Sequence, residues 1–347
     1  MKKLVLILLL LSGLTVPARA AELTAPLAPD SAQDLMPEDT QSFGEGLLYV
    51  FKSAMATLQP EITAGCGICL SVMAVMLLTS MVSGFPGRTK DVTELVGTMA
   101  VACLLLSNAN TLIGDAADTV KELSEYGKLL LPVMATALAA QGGVTGSAAI
   151  YTGTALFDGL LCTLVSRLLV PMVYIFLALA IGTGAIGEDL LKRLRDFIKW
   201  LVSWCLKTVM YVFTGYITIT GVVSGTTDQA ALKAAKLTIS GAVPVVGGIL
   251  SDASEAVLVS AGVVKNAVGV YGLLAVAAIA MGPFMRIGVQ YLLLKLTAAV
   301  CGIFGSKRTT DLVGDFAGAM GILLAMTGAV CLLLLISMVC FMKGVGL

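Results

Sequence analysis

The chain has no histidine, so the commonest general base and metal ligand are both missing from its chemistry. Charge is scarce as well: 13% of residues are charged, against about 25% in a soluble domain. The 22 basic and 22 acidic residues cancel, and no basic run is long enough to grip nucleic acid. No nucleotide-binding loop, nucleophile elbow or metal-ligand cluster interrupts the sequence, which argues against an enzyme and calls for no cofactor. Acid–base work inside the membrane by Asp252 and Glu255 is the one catalytic option left open. Proline becomes rare after Pro86, where only Pro132, Pro171, Pro244 and Pro283 follow.

What is present is apolar. Hydrophobic residues make up 58% of the chain, with a mean hydropathy of +0.96, so lipid must solvate much of the surface. The expected fold is an all-α, polytopic membrane bundle. Residues 1–20 read as a signal peptide, with Lys2 and Lys3 before an apolar run and an Ala18-Arg19-Ala20 cleavage site. Cleavage there places the mature N-terminus outside the cytoplasm. Residues 21–46 form a polar arm with six acids, including Asp30, Asp34, Glu38 and Asp39, and read as flexible. Phe43, Leu47, Val50, Phe51, Ala54 and Leu58 then recur at helical spacing, as in an interfacial amphipathic helix that completes an outer region 21–60. The membrane domain is 61–347. Eight cysteines lie almost entirely in apolar runs. Cys66-Gly-Ile-Cys69 has the spacing of a redox or metal pair, but no histidine or second pair accompanies it, so packed thiols are expected, with a disulfide near the outer surface as the alternative.

Six apolar stretches can cross a bilayer, which takes about 20 residues: 62–85, 92–113, 154–182, 200–224, 268–304 and 312–341. Two more, 129–150 and 237–264, are ambiguous, and the second carries Asp252 and Glu255. The positive-inside rule discriminates between topologies. If 129–150 turns back on the side it entered, Lys192, Arg193, Arg195 and Lys199 fall inside with Arg88 and Lys90. If 237–264 also turns back, Lys307 and Arg308 join them. The preferred topology is therefore six spanning helices plus two Pro-broken re-entrant hairpins, with eight full crossings as the alternative. The prolines suggest a duplication: Pro132-Val133 and Pro244-Val245 lie 112 residues apart, and each is followed 39 residues later by another proline, Pro171 or Pro283. Parallel repeat units of about 86–199 and 198–310 follow from that spacing.

The polar residues on these hairpins and helices are the candidates for function. Ser251, Asp252, Ser254, Glu255, Lys265 and Asn266 form the densest polar group, opposite an apolar stripe at helical spacing. Acids at such a depth face water or a partner. The candidate conduit or hairpin residues are Pro132, Arg167, Pro244, Gly247, Gly248, Asp252, Glu255, Lys265 and Asn266. Arg167 sits deep in a spanning helix with Asp158, whereas Lys207 is close enough to Lys199 to snorkel inward. Residues 188–200 read as an inner-surface helix, apolar on one face and basic on the other, with an elbow for a cytoplasmic motor as the alternative. Gly142-x-x-x-Gly146 and Gly314-x-x-x-Gly318 offer sites of close helix packing.

The stretch Lys236-Leu-Thr-Ile-Ser-Gly-Ala-Val-Pro244-Val-Val-Gly247-Gly-Ile-Leu-Ser-Asp252-Ala-Ser-Glu255, continuing to Val264-Lys265-Asn266-Ala-Val-Gly269, resembles stage III sporulation protein AE. The order of features agrees over nearly the whole chain, although the N-terminal arm is shorter than the family pattern. The resemblance implies a subunit of the channel, or feeding-tube, complex in the mother-cell membrane around the forespore, required for endospore formation. It implies as partners other stage III sporulation proteins, including a cytoplasmic ATPase, and indirectly stage II sporulation protein Q across the intermembrane space. It brings no catalytic residues. A permease-like or channel-platform role is the first expectation. A non-conducting scaffold of the same complex, or a secondary transporter unrelated to sporulation, is the alternative.

Overall fold

The computed structural model describes residues 25–37, 43–83, 90–141, 144–242 and 247–343, and within these the side chains of 83, 90–91 and 221–265 are not described. Every regular element among the described residues is helical. They are α1 (Asp30–Gln33), α2 (Phe43–Thr57), α3 (Gln59–Ser83), α4 (Lys90–Ala140), α5 (Val144–Leu164), a π-helical segment (Val165–Leu169), α6 (Val170–Ile186), α7 (Asp189–Ala242), α8 (Gly247–Phe304) and α9 (Lys307–Lys343). Six stretches are long and apolar enough to cross a membrane: Gln59–Val82, Val92–Ala140, Val144–Ile186, Asp189–Thr220, Asn266–Phe304 and Lys307–Lys343. Each contains or overlaps one of the six expected spans.

Helix α9 is the mast of the bundle. Phe316, Met320, Leu323, Val330, Leu333 and Phe341 recur at three-, four-, seven- and eight-residue steps and are all buried. The stripe is wide enough for α9 to touch α4, α5, α6, α7 and α8, most extensively α8 and α4. In α8 the run from Leu273 to Ala280 is buried on every side, as expected of a helix enclosed by neighbours. Elsewhere the apolar surface stays exposed, as at Leu70, Leu78 and Met81 on α3, where lipid is the natural solvent. At one close approach a glycine is required: a β-carbon on Gly153 of α5 would overlap the ring of Tyr216 on α7.

The helices are longer than a simple bundle needs. Helix α4 has 51 residues, or ~77 Å, more than twice the ~30 Å hydrocarbon core. The backbone stays helical through Pro132 in α4 and Pro283 in α8, where a break was expected. One lost donor in a long, well-packed helix is tolerable where neighbours hold the backbone in place. Pro171 is handled differently. It has no N–H for the carbonyl of Arg167, and the π segment just before it shifts the bonding by one residue, so the Val170 N–H bonds Val165 O. Pro244 lies outside the described residues, in the stretch between α7 and α8, whereas Pro132 sits well inside α4. The stretch expected as a surface helix over 188–200 is, from Asp189 on, the first turns of the 54-residue α7 rather than a separate helix.

The N-terminal arm also departs from expectation. Ala28 and Ala32 are buried, the Ala28 N–H donates to Tyr271 Oη at 3.2 Å, and Tyr126 Oη donates to Pro26 O at 3.3 Å. Ser31 Oγ donates to the Glu122 carboxylate. Acidic composition hid a short strap whose few alanines fit between two tyrosines. Helix α2 lies against α8 with Val50 and Ala54 buried, so it is the bundle that covers this part of its apolar stripe.

Candidate functional site

The polar groups of the membrane domain gather at two levels. At one end, Glu94 of α4, Glu188 to Arg195 at the α6–α7 corner, and Lys307 and Arg308 of α9 line a single cleft of about 320 Å³. Helix α6 stops at Gly187, whose φ of 77° places it in the left-handed region that favours glycine. Its N–H bonds Thr183 O at 2.9 Å, and a β-carbon there would sit 3.1 Å from Arg308 Nη2. The turn thereby delivers the basic start of α7 to the start of α9. Arg195 is buried and ion-paired with Asp315 of α9 and, at 2.9 Å, with Asp196 beside it. Thr98 and Thr309 join α4 to α9 through hydroxyls 3.0 Å apart. The starts of α7 and α9, both expected on the cytoplasmic side, therefore meet at one end of the bundle.

The second level lies farther along the same helices. Arg286 of α8 reaches Glu61 of α3 at 2.5 Å and Asp115 of α4 at 2.7 Å. Counted from the first end along α3, α4 and α8, these residues are ~33, ~38 and ~27 Å away. They mark the far polar level. Beyond it α4, α5, α8 and α9 continue as an outer storey beneath the N-terminal strap. Here Ser124 Oγ donates to Asp158 Oδ2 at 2.6 Å, while Asp158 Oδ1 is buried without a partner among the described residues. One helical turn away, Thr154 donates to Ser337 at 2.8 Å. These hydroxyl contacts gave no sequence signal, because single serines and threonines in apolar helices are unremarkable until their neighbours are known.

Of the expected conduit residues, Pro132, Arg167 and Asn266 have described side chains. Pro244 is outside the described residues, as are the side chains of Gly247, Gly248, Asp252, Glu255 and Lys265. Pro132 is half-buried in α4 and Asn266 is exposed on α8. Arg167 is exposed in an open, largely apolar groove of about 820 Å³ between α5 and α7, lined in part by Leu160, Leu164 and Trp204. It has no ion-pair partner among the described residues, and Asp158 on the same helix pairs with Ser124 instead. Measured from the α4–α5 turn, Pro132 and Arg167 lie about 20 Å apart along the bundle, so the structure does not bring them together. Lys207 is exposed on α7. Cys66 and Cys69 are free thiols on α3, as are the other six cysteines.

The family model for stage III sporulation protein AE matches residues 33–344. A stage III sporulation protein AE from Bacillus subtilis (strain 168) is 23% identical over 256 residues, covering 73% of this chain and 62% of the relative. The chain thus spans a little under two thirds of that relative's length. No solved structure matches.

Proposed function

The chain belongs to the stage III sporulation protein AE family, and from that premise we propose that it is the membrane platform of a channel complex between mother cell and forespore. It is a multi-pass membrane protein of sporulation. In this reading it lies in the mother-cell membrane around the forespore, with its mature N-terminus outside the cytoplasm. The charged end formed by Glu188 to Arg195, Lys307 and Arg308 faces the cytoplasmic ATPase. The strapped outer storey faces the intermembrane space and, through other stage III proteins, stage II sporulation protein Q. The stretches 129–150 and 237–264 turn back on that outer side, and Asp252 and Glu255 border the passage where copies or partners meet.

The observation that favours a platform over a one-chain permease is the apolar core that packs much of the space between the two polar levels, where polar side chains are few: Gln290, Thr297 and Thr327 are buried, and Lys199 and Lys295 line a cleft between α7, α8 and α9. Phe176, Phe316, Met320, Leu323 and Met326 fill that core and are essentially inaccessible. Its hydroxyls are bonded within their own helices, Thr297 to Leu293 O and Thr327 to Leu323 O, both on the preceding turn. A water-filled path inside one chain needs a continuous polar lining, which these residues do not supply.

Purified full-length chain in vesicles loaded with a self-quenching dye tests this reading. The expected result is leakage no faster than from protein-free vesicles. Rapid release by the chain alone would show a passage within one subunit and overturn the platform. In sporulating cells, Asp252→Asn with Glu255→Gln is expected to leave the complex assembled while forespore development stalls. Normal development would remove those acids from the passage, and failed assembly would make them scaffold.

A further inference from the structure

Between the two polar levels, α7, α8 and α9 enclose a cleft of about 210 Å³ whose polar lining is Lys199, Ser203, Tyr291 and Lys295, over a floor that includes Gly318 and Gly321. Lys199 is ten residues from the start of α7, Lys295 nine from the end of α8 and Gly318 eleven from the start of α9. All three therefore sit about 15 Å from the charged end of the bundle. Lys199 Nζ lies 3.7 Å from where a β-carbon of Gly318 would stand, so the ammonium sits directly over this glycine. Lys295 Nζ is 6.0 Å from the centroid of the Tyr291 ring, at the edge of cation–π reach.

No carboxylate lines this cleft. The nearby acids of α7 and α9, Asp196 and Asp315, are both taken by Arg195. Neither ammonium group has an ion-pair or hydrogen-bond partner among the described residues. Two ammonium groups sharing a cleft at the edge of a low-dielectric bundle repel each other and are poorly solvated unless an anion joins them. Phe197, Trp200 and Trp204 stack in an exposed row beside Lys199, with centroids 5.9 and 6.2 Å apart. Exposed tryptophans are characteristic of the membrane–water boundary. Long lysine stems reach from this depth toward headgroups.

We propose that this cleft binds the phosphate of an anionic phospholipid from the inner leaflet. Lys199 and Lys295 neutralise the phosphodiester, and an acyl chain lies along the exposed Leu292 and Leu296 beside Lys295. Paired bases between helices on the cytoplasmic side are the usual chemistry of such headgroup sites. A free phosphate would meet the same two ammonium groups but would leave the apolar flank uncovered.

The test is thermal unfolding of the purified full-length chain in neutral detergent with added phosphatidylglycerol, phosphatidylcholine or inorganic phosphate. Phosphatidylglycerol is expected to raise the midpoint by several degrees, with the other two inert, and the shift is expected to vanish in Lys199→Gln/Lys295→Gln. A shift that survives the double substitution, or one matched by phosphatidylcholine, overturns the site. An equal shift from inorganic phosphate overturns the lipid in favour of a soluble anion. Should the double variant not fold, native mass spectrometry of Lys199→Gln and Lys295→Gln separately is expected to show about half the retained anionic lipid of the parent. Unchanged retention in both overturns the proposal.

Discussion

Two arginines, Arg195 and Arg286, are each held by two carboxylates, one near either polar level of the bundle. The Arg195 side chain is 9% exposed and its partner Asp315 17%, while its other partner, Asp196, is 59% exposed. Arg286 is 40% exposed, with Glu61 at 36% and Asp115 at 30%. The first cluster ties α7 to α9 at a dry contact. The second ties α3, α4 and α8 where water still reaches every member. Removing a partner from a desolvated ion strands a charge, whereas removing one from a wet cluster returns it to solvent. Burial, rather than the number of ion pairs, should set the cost.

The largest effect is therefore expected at Asp315. Asp315→Ala leaves a buried guanidinium supported only by the exposed Asp196, and about 3–5 kcal/mol of stability should be lost. Reversible unfolding of the purified chain in mixed micelles would measure it. The pairing of Arg195→Met with Asp315→Leu should recover most of that loss, since two apolar groups leave no stranded charge. A double variant as unstable as Asp315→Ala alone would show that packing around α9, and not desolvation, governs this end.

Much of this arrangement was legible in the sequence. Long apolar runs gave all six span-capable helices, because lipid imposes a length and composition that few other environments share. The clustering of Lys192, Arg195, Lys307 and Arg308 at one end followed from the charge rule alone. Proline was the weaker guide. Pro132 and Pro283 sit inside continuous helices, and the backbone irregularity that does occur, Val165–Leu169, precedes Pro171. Whether a lost donor breaks a helix depends on its neighbours, which are not encoded at the proline itself. Partner choice was equally hidden. Arg286 lies in a long apolar run, and its carboxylates come from residues 171 and 225 positions away in the chain. Asp158 was legible only as an acid on the Arg167 helix, and its partner, Ser124, comes from the neighbouring helix.

A smaller effect is expected at the wet cluster. Arg286→Met removes two pairs that are each more than a quarter exposed, and about 1 kcal/mol should be lost. Because these charges are open to counterions, the parent's advantage over the variant should shrink as salt is raised. The same salt series should leave the cost of Asp315→Ala nearly unchanged. If Arg286→Met costs as much as Asp315→Ala at every ionic strength, its role in binding three helices outweighs its exposure.

The smallest effect separates charge from connection. Asp196 Oδ1 accepts from Arg195 Nε at 3.1 Å and from Nη2 at 2.9 Å, so by hydrogen-bond count it is the richer partner of the two. It is also the neighbouring residue on the same helix and largely exposed, so its contact joins no separate elements and is screened. Asp196→Ala is expected to cost less than about 1 kcal/mol in the unfolding assay. A cost equal to that of Asp315→Ala would mean that Arg195 needs two negative charges wherever they come from. A negligible cost would mean that only the carboxylate reaching across from α9 keeps this arginine buried.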